Sequence, residues 1–193
     1  SHHSSASFFS AAGLIAQSND AVLQAIADPH IGIFGDYAAA IGLPYGRIKG
    51  HELKQTSAHA ASLGCKEVRL SCNRTLVFPT PDGAGACAII AFAERFNLIT
   101  RADDRRLSMD VCPGAPACRN ATTSTRADAE TVVDVLRGHA KLPFSIHISG
   151  CEKGCARRAT ADLTIVASAG AYDLIRDGSV DDQVYQRAIP PSN

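Results

Sequence analysis

The chain has 193 residues, of which 46% are hydrophobic and 20% charged, and its formal net charge is zero. A neutral chain has no general attraction for nucleic acid or anionic membranes, since such binding needs an excess of Lys and Arg. No apolar run reaches the roughly 20 residues that a membrane-spanning helix requires. The N-terminus has no basic segment ahead of an apolar one, as a signal peptide would. We therefore expect a cytoplasmic protein with no nucleic-acid and no membrane partner.

The first part of the chain predicts a small sheet with helices. Residues 1–29 carry one modest helical pattern and are interpreted as an N-terminal extension or the remnant of a preceding region. Helical spacing predicts a helix over residues 51–63, and Gly64 is a normal residue to end it. Alternation of apolar and polar residues predicts strands over residues 30–34, 67–71 and 74–78.

In the strand at residues 67–71, Val68 and Leu70 share one face and Arg69 lies on the other. Successive side chains of a strand point to opposite faces, so we expect Val68 and Leu70 in the core and Arg69 on the open face. The Pro- and Gly-rich turn at residues 79–83 is the predicted domain boundary. The first domain therefore spans residues 30–81.

The second predicted domain, residues 82–180, again alternates helices and strands. Helices are predicted over residues 86–96 and 125–137, and strands over residues 107–111, 144–148, 162–167 and 172–175. The polar residues 181–193 are predicted to be a loose tail. The fold class is therefore α/β or α+β.

Seven cysteines make an odd number in a chain that is too large to need disulfide staples. Without a secretory signal, clustered cysteines more often bind metal or do chemistry than form disulfides. Five residues separate Cys112 from Cys118, and three separate Cys151 from Cys155. Each pair directly follows a predicted strand, where a rigid scaffold can position functional groups.

The spacing leaves several interpretations of these cysteines open. Four thiolates can hold an iron–sulfur cluster. Structural zinc also takes four cysteines, but its pairs usually have two to four intervening residues. Two disulfides or buried free thiols are the remaining alternatives.

The residues around the four cysteines fit a bound anionic group. Lys153 lies between two of the cysteines, where its charge can tune a cluster potential or meet a substrate carboxylate. Further positive charge comes from Arg119, Arg157 and Arg158.

His147 is interpreted as a structural histidine whose ring nitrogens have hydrogen-bond partners. Of the other cysteines, Cys65 and Cys87 are expected to be buried, whereas Cys72 can be exposed.

The strings CPGAPAC and HISGCEKGCA resemble the cluster-binding signature of the nitrite and sulfite reductase superfamily. The upstream run LPYGRIKGHELKQTSAHAASLGCKEVRLSCNRTLVFP is similar to the ferredoxin-like half domain of that superfamily. The SGCxKGCA form, with ADLTIV and YDLIRDG after it, is most similar to the precorrin-3B synthase family. Together the resemblance covers roughly residues 30–180. It implies a ferredoxin-like half domain followed by a reductase-type 4Fe-4S domain.

The resemblance also implies roles for individual residues. It assigns the cluster to Cys112, Cys118, Cys151 and Cys155, and in the sirohaem enzymes the last of these also bridges to the haem iron. Arg69 and Arg74 match basic positions that face tetrapyrrole carboxylates, and Lys153 can join them. A guanidinium suits a propionate or acetate side chain because both groups are planar and can form two parallel hydrogen bonds.

The function implied is redox chemistry on a tetrapyrrole. In the precorrin-3B synthase family it is the oxygen-dependent hydroxylation and lactone formation on precorrin-3A in aerobic cobalamin biosynthesis, a monooxygenase reaction. The alternatives are a fragment of a sirohaem-dependent nitrite or sulfite reductase and a non-catalytic, metal-stabilised module. The expected cofactor is a 4Fe-4S cluster, with sirohaem or a mononuclear iron as open additions. An external electron donor is expected because no flavin or nicotinamide motif is present.

The sequence departs from the family in three respects. Arg157 stands where family members often have histidine, and Cys72 interrupts the basic motif between Arg69 and Arg74. Family members have two pseudo-symmetric halves, of which only the cluster-bearing half is visible. We therefore expect the chain to be incomplete by itself and to need a second half-chain or a homodimer.

Overall fold

The computed structural model describes residues 31–136 and 145–189. The extension predicted over residues 1–29 lies outside them. The first sheet is antiparallel, with strand order β1-β2-β4-β3. Its strands are β1 (Gly32–Phe34), β2 (Ala38–Gly42), β3 (Arg69–Ser71) and β4 (Thr75–Pro79). Its helices are α1 (Gly50–Ser62) and α2 (Gly83–Glu94).

Both helices pack on one face of this sheet. Ile41 and Phe78 are fully buried there, together with Ile89 of α2 and Ala60 of α1. Strand β2 was not predicted, since its sequence AAAIG has no alternation. Every residue of β2 is buried, because β2 lies between two other strands and has packing on both of its faces.

The structure corrects two expectations about the first domain. Helix α2 was expected to open the second domain, but Ala86, Ile89 and Ala93 complete the core of the first sheet. The packing therefore extends the first unit beyond the turn at residues 79–83. Leu70 was expected in the core but is 85% exposed. It lies on β3, which is an edge strand of the sheet that the described residues form.

The second sheet has the order β5-β6-β7-β8-β9. Strands β5, β6 and β7 are parallel, whereas β8 and β9 are antiparallel to their neighbours. The fold class predicted from the sequence is confirmed, with both parallel and antiparallel pairing. The strands are β5 (Met109–Val111), β6 (Ile146–Ser149), β7 (Ala161–Ser168), β8 (Ala171–Gly178) and β9 (Gln186–Ile189).

Helix α3 (Thr125–Val135) connects β5 to β6 and covers one face of the second sheet. Its Ala129 packs with Met109, Ile146 and Ile148 in a single apolar core. The segment predicted to be a loose tail instead contributes β9, which pairs with β8. Within the described residues, no helix is long and apolar enough to cross a membrane.

Tyr45 joins the two units. It lies in the short 3-10 turn Pro44–Gly46 of the first unit, with a left-handed backbone (φ 52°). Its ring is buried in the apolar core of the second unit, with Val111 and Ala129. A buried aromatic ring contributes several kcal/mol, so the two units depend on each other for stability.

The other face of the second sheet carries several polar side chains beside the apolar Val166 and Ile175. His147 is fully buried there, and Thr164 is its register partner on β7. The sequence led us to expect a satisfied histidine, but neither ring nitrogen has a hydrogen-bond partner among the described residues. Burial lowers the pKa of His147, and the charge of Arg157 lowers it further, while Asp110 opposes the shift. His147 is therefore held in its neutral form.

Truncation of Tyr45 should destabilise both units. We expect Tyr45→Ala to lower the free energy of unfolding by about 3–5 kcal/mol, the usual cost of removing a buried aromatic ring. Tyr45→Phe keeps the ring and should stay within about 1 kcal/mol of the unsubstituted chain. Urea denaturation measures both. Equal losses in the two variants would show that the hydroxyl, not the ring, matters.

His147 should make the folded chain less stable as the pH falls. In the unfolded chain His147 regains its ordinary pKa of about 6.5 and binds a proton as the pH falls below that value. The folded chain does not, because its pKa is lower, so acid favours unfolding. We expect His147→Leu to gain stability relative to the unsubstituted chain between about pH 7.5 and 5.5. Urea denaturation of both chains at the two pH values measures this. The same difference in unfolding free energy between the two chains at both pH values would contradict the prediction.

Candidate metal centre

The two cysteine pairs lie at the same edge of the second sheet. Cys112 directly follows β5, and Cys151 lies two residues beyond the end of β6. These strands are parallel neighbours, with Val111 opposite Ile148. Their carboxyl ends therefore meet at one edge. The backbone N–H of Cys112 continues the ladder by donating to the carbonyl of Ile148 over 3.1 Å.

The loops that carry the two pairs are in direct contact. The backbone N–H of Gly150 donates to Cys112 Sγ over 3.1 Å. The N–H of Thr122 donates to the carbonyl of Gly150 over 3.0 Å. Backbone N–H donors of this kind can offset negative charge on the sulfur ligands of a metal centre.

The first loop is folded tightly against the start of α3. Gly114 has a left-handed backbone (φ 66°), and a Cβ at this position would overlap Thr125 Oγ1 and lie 2.7 Å from the Thr125 backbone N. Thr125 is fully buried, and its hydroxyl donates to the carbonyl of Cys112 over 2.8 Å. Further along the loop, the N–H of Cys118 donates to the Gly114 carbonyl over 2.8 Å. The backbone around both cysteines is therefore fixed by packing and hydrogen bonds.

The second loop is tied to β5 by an ion pair. Arg157, two residues after Cys155, places Nη1 3.0 Å from Asp110 Oδ2. Its Nε donates to the carbonyl of Thr160 over 2.9 Å. Asp110 lies two residues before Cys112, so this contact fixes the two ends of the cysteine constellation relative to each other. Arg157 thus has a structural partner here, although it departs from the family pattern.

The four cysteines differ in exposure. Cys112 is 6% exposed, whereas Cys118 and Cys151 are half-buried and Cys155 is exposed. A group bound by all four would be shielded on the Cys112 side and accessible on the Cys155 side. Among residues 31–136 and 145–189, no three His, Cys, Asp or Glu side chains converge on a single-ion site. Ligands of a cubane each bind a different iron, so they need not converge as the ligands of one zinc ion do.

The structure places the three predicted carboxylate-binding residues differently. Arg69 is ion-paired with Glu67. Arg74 donates to the carbonyls of Met109 and Leu107 over 2.7 and 3.2 Å. Lys153 is exposed and lines a groove of about 440 Å³ together with Cys151.

Asp110 was missed in the sequence. It lies between two arginines, since Arg74 Nη1 is 3.5 Å from Oδ1 and Arg157 binds Oδ2. The only signal is its polar position in the strand sequence MDV, because both partners are far away in the chain.

Among the remaining cysteines, Cys65 is buried and Cys72 is exposed, as expected. Cys87 is exposed and not buried, since it lies on the outer side of α2.

Gly114 should not tolerate a side chain. A Cβ that overlaps Thr125 Oγ1 forces the loop and α3 apart. We expect Gly114→Ala to cost about 1–3 kcal/mol more than the matched variant Gly170→Ala. Gly170 also has a positive φ (82°) but has open space around its Cβ position. Urea denaturation compares the two, and equal losses would assign the effect to backbone strain alone.

Comparison with known proteins gives consistent results. No protein-family model matches the sequence. The chain is 26% identical over 148 residues to a precorrin-3B synthase from Sinorhizobium sp.. This alignment covers 76% of this chain and 32% of the synthase. It is 30% identical over 159 residues to a sulfite reductase [NADPH] hemoprotein beta-component from Xylella fastidiosa. That alignment covers 75% of this chain and 28% of the reductase component. The chain thus spans about a third of the length of these relatives.

The fold is also known from a solved structure. The NirA protein of Mycobacterium tuberculosis superposes with a TM-score of 0.64 over 84% of this chain and 34% of NirA, at 20% sequence identity. The similarity therefore extends from the first sheet to the cysteine-bearing sheet, and it agrees with the ferredoxin-like half domain and reductase-type domain predicted from the sequence. The chain is a member of the nitrite and sulfite reductase superfamily.

Proposed function

We propose that this chain is the cluster-bearing half of a redox enzyme that acts on a tetrapyrrole. The observation that carries the proposal is the contact between the two cysteine loops at the ends of β5 and β6. There the N–H of Gly150 lies 3.1 Å from Cys112 Sγ. This arrangement presents thiols from both pairs at one edge of a rigid sheet, with a backbone donor already directed at sulfur.

In this proposal Cys112, Cys118, Cys151 and Cys155 hold a 4Fe-4S cluster. When bound, the cluster would supply one-electron transfer. The chain's own residues hold the thiolates in place: Thr125 fixes the backbone at Cys112, and Arg157 fixes the second loop through Asp110. The exposure of Cys155 leaves its side of the site open to a substrate. That side is where the family resemblance puts the tetrapyrrole.

The proposed reaction is that of precorrin-3B synthase, the oxygen-dependent hydroxylation and lactone formation on precorrin-3A. The support is the similarity to such a synthase over 76% of the chain, together with the SGCxKGCA form of the second cysteine motif. Lys153 is the best placed of the three predicted carboxylate contacts, because its side chain is exposed beside Cys151. Arg69 and Arg74 would have to exchange internal partners to bind substrate.

We also propose that the active enzyme contains a second half, supplied by another chain segment or another copy. The chain spans about a third of its relatives. On the first sheet, Leu70 at the β3 edge is 85% exposed, and Ile33 at the opposite edge is 46% exposed. Exposed apolar residues on free strand edges favour pairing with further strands. Electrons would come from a separate donor.

A fragment of a sirohaem-dependent sulfite or nitrite reductase is the second candidate. The 30% identity to a sulfite reductase hemoprotein component favours it. The two candidates differ in the role of the tetrapyrrole, which is a resident cofactor in one and a substrate in the other. A haem that stays bound through purification distinguishes them.

Metal and sulfide determination on protein purified without oxygen tests the proposal. We expect about four irons and four acid-labile sulfides per chain, with broad absorbance near about 400 nm and no haem bands. Cys112→Ser should lose most of this iron because serine is a poor ligand for cluster iron. Cys87→Ser is the matched control, since Cys87 is exposed and lies on α2 of the first unit.

The other outcomes of the iron and sulfide measurement each have a defined meaning. Sharp haem bands would favour the sirohaem reductase. One zinc per chain, or no metal after anaerobic reconstitution, would overturn the cluster and leave a structural module. Equal iron in Cys112→Ser and the unsubstituted chain would show that the iron is bound elsewhere.

A further inference from the structure

His147 is a buried titratable side chain to which neither the four cysteines nor the apolar core gives a role. It is fully buried on β6, and neither ring nitrogen has a hydrogen-bond partner among residues 31–136 and 145–189. A buried polar group without a partner is unfavourable, whereas an apolar residue of similar size would pack there without that cost. Packing alone therefore does not account for an imidazole at this position.

Strand register places His147 beside Asp110. The two residues are partners in the parallel pairing of β5 with β6, so their side chains share one face of the sheet. On the other side, the register partner of His147 is Thr164 of β7, whose hydroxyl donates to the carbonyl of Gly178 over 2.7 Å. The Thr164 hydroxyl proton is thus already used, and Asp110 is the ionic neighbour of the imidazole on the adjacent strand.

Asp110 connects the buried imidazole to the surface. Its carboxylate pairs with Arg157 of the second cysteine loop over 3.0 Å and approaches Arg74 of the first unit at 3.5 Å. Both side chains of the Asp110–Arg157 pair are 29% exposed, so solvent reaches this pair. Burial and the charge of Arg157 lower the pKa of His147, whereas Asp110 raises it. A carboxylate on the adjacent strand therefore favours the protonated ring that burial opposes.

The same register brings His147 close to the cysteines. Cys112 lies two residues after Asp110 and continues the ladder of β5 with β6 through its N–H. With about 3.3 Å per residue along a strand and about 4.8 Å between strands, the backbone of Cys112 is about 8 Å from that of His147. At an effective dielectric constant of about 20, one unit of charge about 10 Å away changes a proton affinity roughly tenfold. An electron held by the cysteine-bound group is therefore close enough to change the protonation of the ring.

We propose that His147 is the proton-accepting partner of electron transfer at the four-cysteine site. His147 takes up one proton from solvent, past the Asp110–Arg157 pair, when the external donor delivers an electron to the site. It releases that proton when the electron leaves. The charge added to the buried edge of the sheet is then balanced by the imidazolium.

The inference rests on the proposed redox function and adds a residue that couples electron uptake to proton uptake. Hydroxylation by O₂ with external electrons consumes protons as water forms, and reduction of sulfite or nitrite also consumes protons. The coupling therefore serves either candidate reaction. His147 acts through charge and not as a ligand, so its substitution should leave the bound iron in place.

The test is a potentiometric titration of the anaerobically reconstituted chain between about pH 5 and pH 8, a range centred on the ordinary pKa of histidine. Visible absorbance reports the reduced fraction. The reduced site binds the proton more tightly, so its midpoint potential should fall as the pH rises. A tenfold difference in proton affinity corresponds to a total fall of about 59 mV for one electron. His147→Gln should remove this fall because glutamine does not titrate.

Two further variants accompany His147→Gln. His51→Gln removes an exposed histidine in the first turn of α1, in the first unit, and should leave the pH dependence unchanged. His147→Leu removes the proton site together with the unpartnered polar atoms, and its potential should be as independent of pH as that of His147→Gln. Iron content and urea denaturation are measured on every variant, so that potentials are compared only among folded, iron-loaded chains.

Three outcomes would overturn the inference while the chain still binds iron. A potential independent of pH in the unsubstituted chain would exclude proton coupling, and this measurement needs no variant. A pH dependence that persists in His147→Gln and His147→Leu would assign the proton to another group. An equal loss in His51→Gln would show a general charge effect. A chain that binds no iron after anaerobic reconstitution would instead reject the proposed function, and the role of His147 with it.

Discussion

The parallel pairing of β5 with β6 is the constraint on which the site depends. Parallel strands need a crossover, which α3 provides, and they end at the same edge of the sheet. The loops that follow the two strands are therefore brought into contact, although Cys112 and Gly150 are 38 positions apart in the chain. An antiparallel pair would have placed the two loops at opposite edges. The position of the two cysteine loops at one edge of the sheet thus depends on the parallel direction of β5 and β6.

Asp110 adds a second level of order on the polar face of the sheet. One carboxylate binds Arg157 from the second cysteine loop and approaches Arg74 from the first unit. Each of these pairs is partly exposed, so each by itself contributes about 1 kcal/mol or less. Their value lies in geometry, since three separate segments are aligned around one residue. The same arrangement explains why Arg74 is not free to bind a ligand.

The sequence predicted the positions of the cysteine loops at strand ends better than it predicted the packing around them. The cysteine loops were found because each follows a strand with clear alternation, and strand ends are fixed by local pattern. Strand β2 was missed because a run of alanines has little strand propensity, and its burial comes from neighbours on both sides. The exposure of Leu70 and the pairing of Arg74 were missed for a related reason. Both depend on where the sheet ends and on partners far along the chain, which local alternation does not encode.

The Tyr45 ring has a consequence for how the protein can be divided. Because a residue of the first unit completes the core of the second, the second sheet does not have a complete interior without the first unit. The two sheets should melt in one cooperative transition and not as separate domains. A duplication or fusion of the gene would then preserve function only if it included both sheets. The smallest structural unit that can be transferred is the pair of sheets together with the cysteine loops.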